Sequence, residues 1–278
     1  MSIAISPSEQ TRVRFAPVRA QGRIRLVFDR RDDRTVIRDV GEGGGFRARF
    51  PDVEGMLETV LINTGGGMTG GDHATFDITT GDGAATLVTT QSAEKVYRSN
   101  GPETEIDVAL TLGPDSMLHW LPQETILFSG ARLRRRLNVS MDENARLLMG
   151  ESVVYGRFAS GEDLGEGLFT DRWQIRRAGA LVFAEALRLD GHLSTLMKRP
   201  AVANGARSSA TLIYIAKDAE SRLEQARQLL SDAPCDAGAS AWNGMLVVRL
   251  LSGDPSHLRQ VKIGFLARFR GEEVSRLW

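Results

Sequence analysis

The 278-residue sequence is long enough to bury a substantial core, and one large all-β domain spanning 1–278 accounts for its length as well as two smaller domains would. Thirty-five Lys+Arg balance 35 Asp+Glu, and the formal net charge of zero argues against a general nucleic-acid or anionic-membrane role. The single cysteine, Cys235, excludes a disulfide framework or a thiolate metal cluster within one chain and fits a reducing cytoplasm. The amino-terminal MSIAISPSEQTRVRF lacks the features of an export signal, and no apolar run approaches the roughly eighteen residues that span a bilayer, so the expectation is a soluble cytoplasmic protein.

Along the chain, residues 22–29 (GRIRLVFD) and 34–40 alternate as strands around a charged turn at 30–33. Residues 41–51 read as a glycine-containing loop, and Pro51 argues against a central strand there. Residues 56–63 form a strand that runs into a cluster of five glycines within seven residues: Gly65, Gly66, Gly67, Gly70 and Gly71. Asp72 follows at once. A phosphate cradle is excluded here, because no Gly-Lys-Ser/Thr and no helix-forming run follows the glycines. The cluster reads instead as a tight crossing between two strands that presents Asp72.

From Phe76 to Gly156 one form recurs, with strands centred on Leu87, Leu118 and Leu147, which stand 31 and 29 residues apart. A period near thirty predicts a mainly β, stacked-layer body resembling a β-helix, with a meandering sandwich as the alternative. Pro122 inside an apolar run predicts an edge or bulge. Residues 156–167 read as a surface loop, and strands resume at 171–177 and 181–189. In the carboxyl-terminal third, strands at 211–216 and 245–251 alternate with two helices. The first covers 219–230; the second is capped by Asp254, starts at Pro255 and carries Leu258, Val261, Phe265 and Phe269 on one face.

Catalytic signatures are scarce. His73, His119, His192 and His257 are not spaced as metal-ligand pairs, no nucleophile elbow is present, and Cys235 has no local partner. The carboxylates carry more information. Glu94, Glu151 and Glu185 stand in strand-like, apolar stretches, and Asp72 closes the glycine cluster. A lone buried carboxylate is costly, so each of these must be paired, hydrogen-bonded or set against water, with Lys95, Arg157 and Arg188 the cations nearest in sequence. Outward-facing positions or ordinary ion pairs account for each residue singly. Were several to face one interior, an oxygen-only, cysteine-free lining would suit the transient handling of a divalent cation of nickel type.

The ordered blocks INTGGGMTGGD, LVTTQSAEKVYRS, WLPQETILFSGA and GRFASGE resemble the urease accessory protein UreD family, called UreH in some bacteria, over roughly Val60 to Asp190. The resemblance implies a non-enzymatic scaffold that works with UreF and the GTPase UreG to deliver nickel to the urease structural subunits. It also implies no permanently bound cofactor, only a nickel ion in transit through an internal tunnel. By position in or beside the matching blocks, Asp72, Glu94, Glu151 and Glu185 are the candidate tunnel lining. The five glycines, with Gln91, Lys95, Tyr97, Pro122, Gln123 and Phe128, are candidate structural positions, and the hydroxyl of Tyr97 calls for a partner. Two other readings stay open: a stacked-β carbohydrate-active enzyme using paired carboxylates, which the aromatic content of 6% disfavours, and an adaptor that never touches metal.

Overall fold

The computed structural model describes residues 19–157, 161–162, 164–272 and 275–278. The body is a β-solenoid whose coils alternate between two facing sheets. In the first sheet β1 (Gln21–Arg31), β5 (His73–Thr80), β8 (Thr104–Leu112), β11 (Arg132–Met141) and β13 (Glu166–Arg177) lie parallel. In the second, β4 (Leu57–Asn63), β6 (Ala85–Thr90), β9 (Met117–Leu121) and β12 (Arg146–Tyr155) do the same. Parallel neighbours need a long crossover, and here each crossover contains a strand of the opposite sheet. A short third side stacks β7 (Glu94–Val96), β10 (Thr125–Leu127) and the end of β12, with Met68 bridged to Val96 below them.

Antiparallel strands close both ends of each of the two main parallel ladders. β2 (Arg34–Gly43) covers β1, and β14 (Ala180–His192) covers β13. β3 (Phe46–Arg49) covers β4, and β15 (Ser208–Ile215), β17 (Met245–Ser252) and β16 (Asp236–Trp242) extend the second sheet beyond β12. Three α-helices complete the described residues: α1 (Leu193–Met197), α2 (Leu223–Leu230) and α3 (Pro255–Arg270). Among these residues no helix is long and apolar enough to cross a membrane.

Two cores result. Ile24, Phe76, Val108, Leu118, Leu137, Leu147 and Phe169 fill the space between the sheets. Leu87, Leu121, Leu148, Leu212, Leu246, Phe265 and Phe269 fill the space between the second sheet and the helices. Strands of the first sheet are therefore buried on one face and alternate cleanly, as in β5. β12 is buried on both faces along nearly its whole length, its apolar run broken only by Gly150, Glu151 and Ser152.

The stacked-layer expectation holds, with a correction in register. Leu118 and Leu147 are opposed in the ladder, but the partner of Leu118 in β6 is Thr86, and Leu87 lies opposite His119. A shift of one residue turns a side chain to the other face, so Leu87 belongs to the helix-side core and the other two leucines to the inter-sheet core. The loop expected over 41–51 contains the end of β2 and all of β3, joined through Gly44 and Gly45 at positive φ. Pro122 lies just past the end of β9, at the corner before β10, and not within a strand. β13 begins five residues earlier than expected, and β8, β11, β16 and α1 lie outside the elements expected from the sequence. The Asp254 cap forms as expected, its Oδ1 accepting from the Ser256 amide at 2.8 Å. The first helix of the pair opens with a 3-10 turn at Glu220–Arg222.

Candidate functional site

The glycine cluster is the corner where the chain leaves β4 and returns to β5. Gly67 has φ +148°, and a Cβ there would stand 2.8 Å from the Lys95 carbonyl oxygen. A Cβ on Gly70 would stand 2.5 Å from the carbonyl oxygen of Pro102. The close approach at Gly67 lets the Met68 amide donate to the Lys95 carbonyl at 2.7 Å and the Met68 carbonyl accept from the Tyr97 amide at 2.8 Å. Tyr97 donates its hydroxyl to the Gly66 carbonyl at 2.9 Å and packs edge-on against Phe128, over which the Arg157 guanidinium sits at 4.4 Å.

Asp72 is buried, and both of its carboxylate oxygens are engaged. Oδ1 accepts from the Ala20 amide and Oδ2 from the Thr69 amide, each at 2.8 Å. The residue ties the entry of β1 to the glycine corner. Asp72→Ala is expected to leave two amides unsatisfied and to cost about 1–3 kcal/mol in chemical denaturation.

Glu94 lies at the start of β7, where a cavity of about 70 Å³ passes inward between Gly66, Gly67, Asn63, Ser92 and Lys95. Both of its oxygens accept from Asn63 Nδ2, at 3.0 and 3.1 Å. Burial pushes its pKa up to about 7, against the pull of Asn63 and Lys95, so near neutrality the group exchanges its proton readily. Leu61, Phe76, Thr90 and Glu94 also line a second, inner cavity of about 50 Å³, which reaches Trp120, Thr125, Arg135 and Glu151. Glu94 is in the wall of both.

Glu151 is buried in β12 and faces the first sheet. Its Oε1 accepts from Trp120 Nε1 at 2.9 Å and its Oε2 from Arg135 Nη1 at 2.5 Å. Arg135 Nε and Nη2 also reach the Asp171 carboxylate, at 3.0 and 2.5 Å, and Trp173 Nε1 donates to Asp171 at 2.8 Å. Burial raises the pKa of Glu151, with Arg135 and Trp120 pulling the other way. For Arg135 burial opposes the charge, yet Asp171 and Glu151 hold the pKa above its ordinary value.

The remaining positions are engaged in other contacts, although Pro122 and Gln123 also line the inner cavity. Glu185 lies on β14 and pairs with Arg249 Nη2 at 2.5 Å, away from both cavities. Gln123 ties coil to tail, its Nε2 donating to the carbonyls of Thr90, Gln91 and Leu277. The cations nearest in sequence are not the partners: Arg157 pairs with Glu162 and Arg188 with Asp190. His119 is buried, and desolvation together with Arg270 and Arg146 pushes its pKa down to about 3, which keeps it neutral. On the outer face of the first sheet, register places His73 beside Glu105 and near Asp107, their ligand atoms within 4.8 Å, but the Arg136 guanidinium already pairs with both acids.

Residues 20–278 match the family described as UreD urease accessory protein. The chain is 48% identical over 260 residues to the urease accessory protein UreD of Xanthobacter autotrophicus, covering 94% of this chain and 90% of that one. It belongs to the UreD family. Its Azorhizobium caulinodans relative is 44% identical over 261 residues, covering 94% and 96% of the two chains, and a Methylobacterium relative is 48% identical over 250 residues, covering 88% and 89%. Membership gives the chain a part in urease maturation, alongside the urease machinery.

Proposed function

We propose that this UreD family member is a non-catalytic scaffold that, with UreF and the GTPase UreG, hands nickel to apo-urease, the ion passing through the interior of the solenoid. The observation that carries the reading is that Glu94 and Glu151 line neighbouring cavities that share Leu61, Phe76, Thr90 and Glu94 in their walls. Glu94 is held by an amide and not by a fixed cation, so an incoming divalent ion exchanges with a proton there. Oxygen donors without thiolate bind such an ion weakly enough for it to move on. Asp72 is spent on two backbone amides and Glu185 on Arg249, so the proposed path runs through Glu94 and Glu151. The cavities of about 70 and 50 Å³ that Glu94 and Glu151 line are too small for a sugar ring, so these two acids do not serve the carbohydrate-active reading.

The test is co-expression of apo-urease subunits, UreF and UreG with and without this chain at limiting nickel. Urease activity and nickel content are expected to fall to background without it. Equal activation in its absence would overturn the proposal.

A further inference from the structure

One guanidinium stands at the far end of the inner cavity. Register in the first sheet sets Ala74, Ile106, Arg135 and Asp171 in one inward-facing row, so two apolar side chains are followed by a cation and an anion. The Arg135 side chain is 3% exposed and bridges Glu151 of the opposite sheet to Asp171 of its own. Its guanidinium lies 5.8 Å from the centre of the Phe169 ring, and Tyr155 packs edge-on to the same ring. Tyr155 in turn lines a separate, wider cavity of about 320 Å³ beside Gly161, Met197 and Lys198. Arg135, Phe169 and Tyr155 thus divide the narrow acidic interior from the wider space.

An ion that reaches the inner cavity finds Glu151 already occupied. We propose that Arg135 is the resident cation of this interior, holding Glu151 and Asp171 until a divalent cation displaces it and thereby setting which cations the cavity accepts. The inference rests on the nickel-path reading above. A monovalent ion offers the two carboxylates no more charge than the guanidinium does and lacks its planar donor fork, so it does not compete. A divalent ion brings twice the charge to the same oxygens. Once the ion leaves, the guanidinium returns to both carboxylates, which keeps the acid pair from becoming a trap. Arg135 acts through Glu151 and is a positioning residue, not a ligand.

Cobalt(II) titrations of the complex of this chain with its accessory partners, followed by visible absorbance, test the inference. Arg135→Lys keeps the charge but cannot bridge both acids, and Arg135→Met removes the charge. Both are expected to tighten cobalt binding by about tenfold, the scale on which groups behind a metal ligand act. Adding Glu151→Gln should return binding to the wild-type level. A folded Arg135→Lys protein that binds cobalt no more tightly than wild type would overturn the inference, as would a gain that survives Glu151→Gln. Failure of the path reading is separable: it shows as full urease activation by the Glu94→Gln/Glu151→Gln variant, whatever the arginine variants bind.

Discussion

Arg135→Met is expected to cost the fold about 3–5 kcal/mol at neutral pH, the largest loss from any single charged position in the interior. The reason is geometric. The guanidinium makes hydrogen bonds to Glu151 Oε2, Asp171 Oδ1 and Asp171 Oδ2, and all three residues are buried. Deleting it leaves two carboxylates without a hydrogen-bonded cation, with the indole N–H groups of Trp120 and Trp173 as donors and buried Lys262 acting on Glu151 only through its field. Acidification should recover part of the loss, because burial raises the Glu151 pKa and the variant lacks the Arg135 charge that opposes this. Urea denaturation of wild type and variant at pH 7 and pH 5 measures both effects. Equal stability of the two proteins at pH 7 would contradict this account of the cluster.

Glu94→Gln is expected to stabilise the chain while impairing delivery. The folded pKa of Glu94, about 7, lies above its ordinary 4.5, so the folded state favours the protonated form. For a raised acid, the wild type loses stability as pH rises from the unfolded to the folded value. Glutamine removes that loss. The variant should therefore match wild type below pH 4.5, gain between 4.5 and 7, and keep a constant advantage above 7. At about 1.4 kcal/mol per unit, and with screening at the solvent-reaching rim, that advantage is about 1–3 kcal/mol. Asn63 faces the group across the cavity mouth and Lys95 follows it in β7; the amide oxygen of glutamine still accepts from Asn63. In delivery the sign reverses: wild type should outperform the variant at pH 8, and the gap should close as pH falls to 6 and Glu94 takes up its proton. Thermal melts and initial rates of urease activation across that range check the two halves.

Much of this architecture was legible in the sequence. Alternation gave β1 and β5 of the first sheet but not β8 or β11, a near-thirty period gave the coils, and the Asp254–Pro255 start gave the first residue of α3. β16 was missed because DAGASAW carries little of the β-branched and aromatic content that marks a strand; its pairing with β17 supplies what local propensity does not. The phase error at Leu87 arose because β6 is buried on both faces, where an apolar run does not reveal which side a residue takes.

The interior was legible only in half. Glu94 and Glu151 stood out as acids among apolar neighbours, but their partners come from other coils: Asn63 is 31 residues from Glu94, and Arg135 is 16 from Glu151. A signal for the missed pair was present. Arg135 occupies the apolar phase of Leu133, Leu137 and Val139, and Asp171 that of Phe169, Trp173 and Ile175. A charge in the buried phase of an alternating strand announces a buried partner. Asp72 and Glu185 were drawn into the same set by residue type, and contacts from Ala20, Thr69 and Arg249 place them at a corner and an edge.

The most direct measurement is the nickel content and activity of urease matured by a complex containing Glu94→Gln/Glu151→Gln, with complex assembly followed by size-exclusion chromatography. Both substitutions nearly conserve shape and hydrogen-bond acceptors while removing charge from the two neighbouring cavities. The expected result is an intact complex whose urease carries little nickel and little activity. An intact complex that loads urease fully would contradict the acidic path.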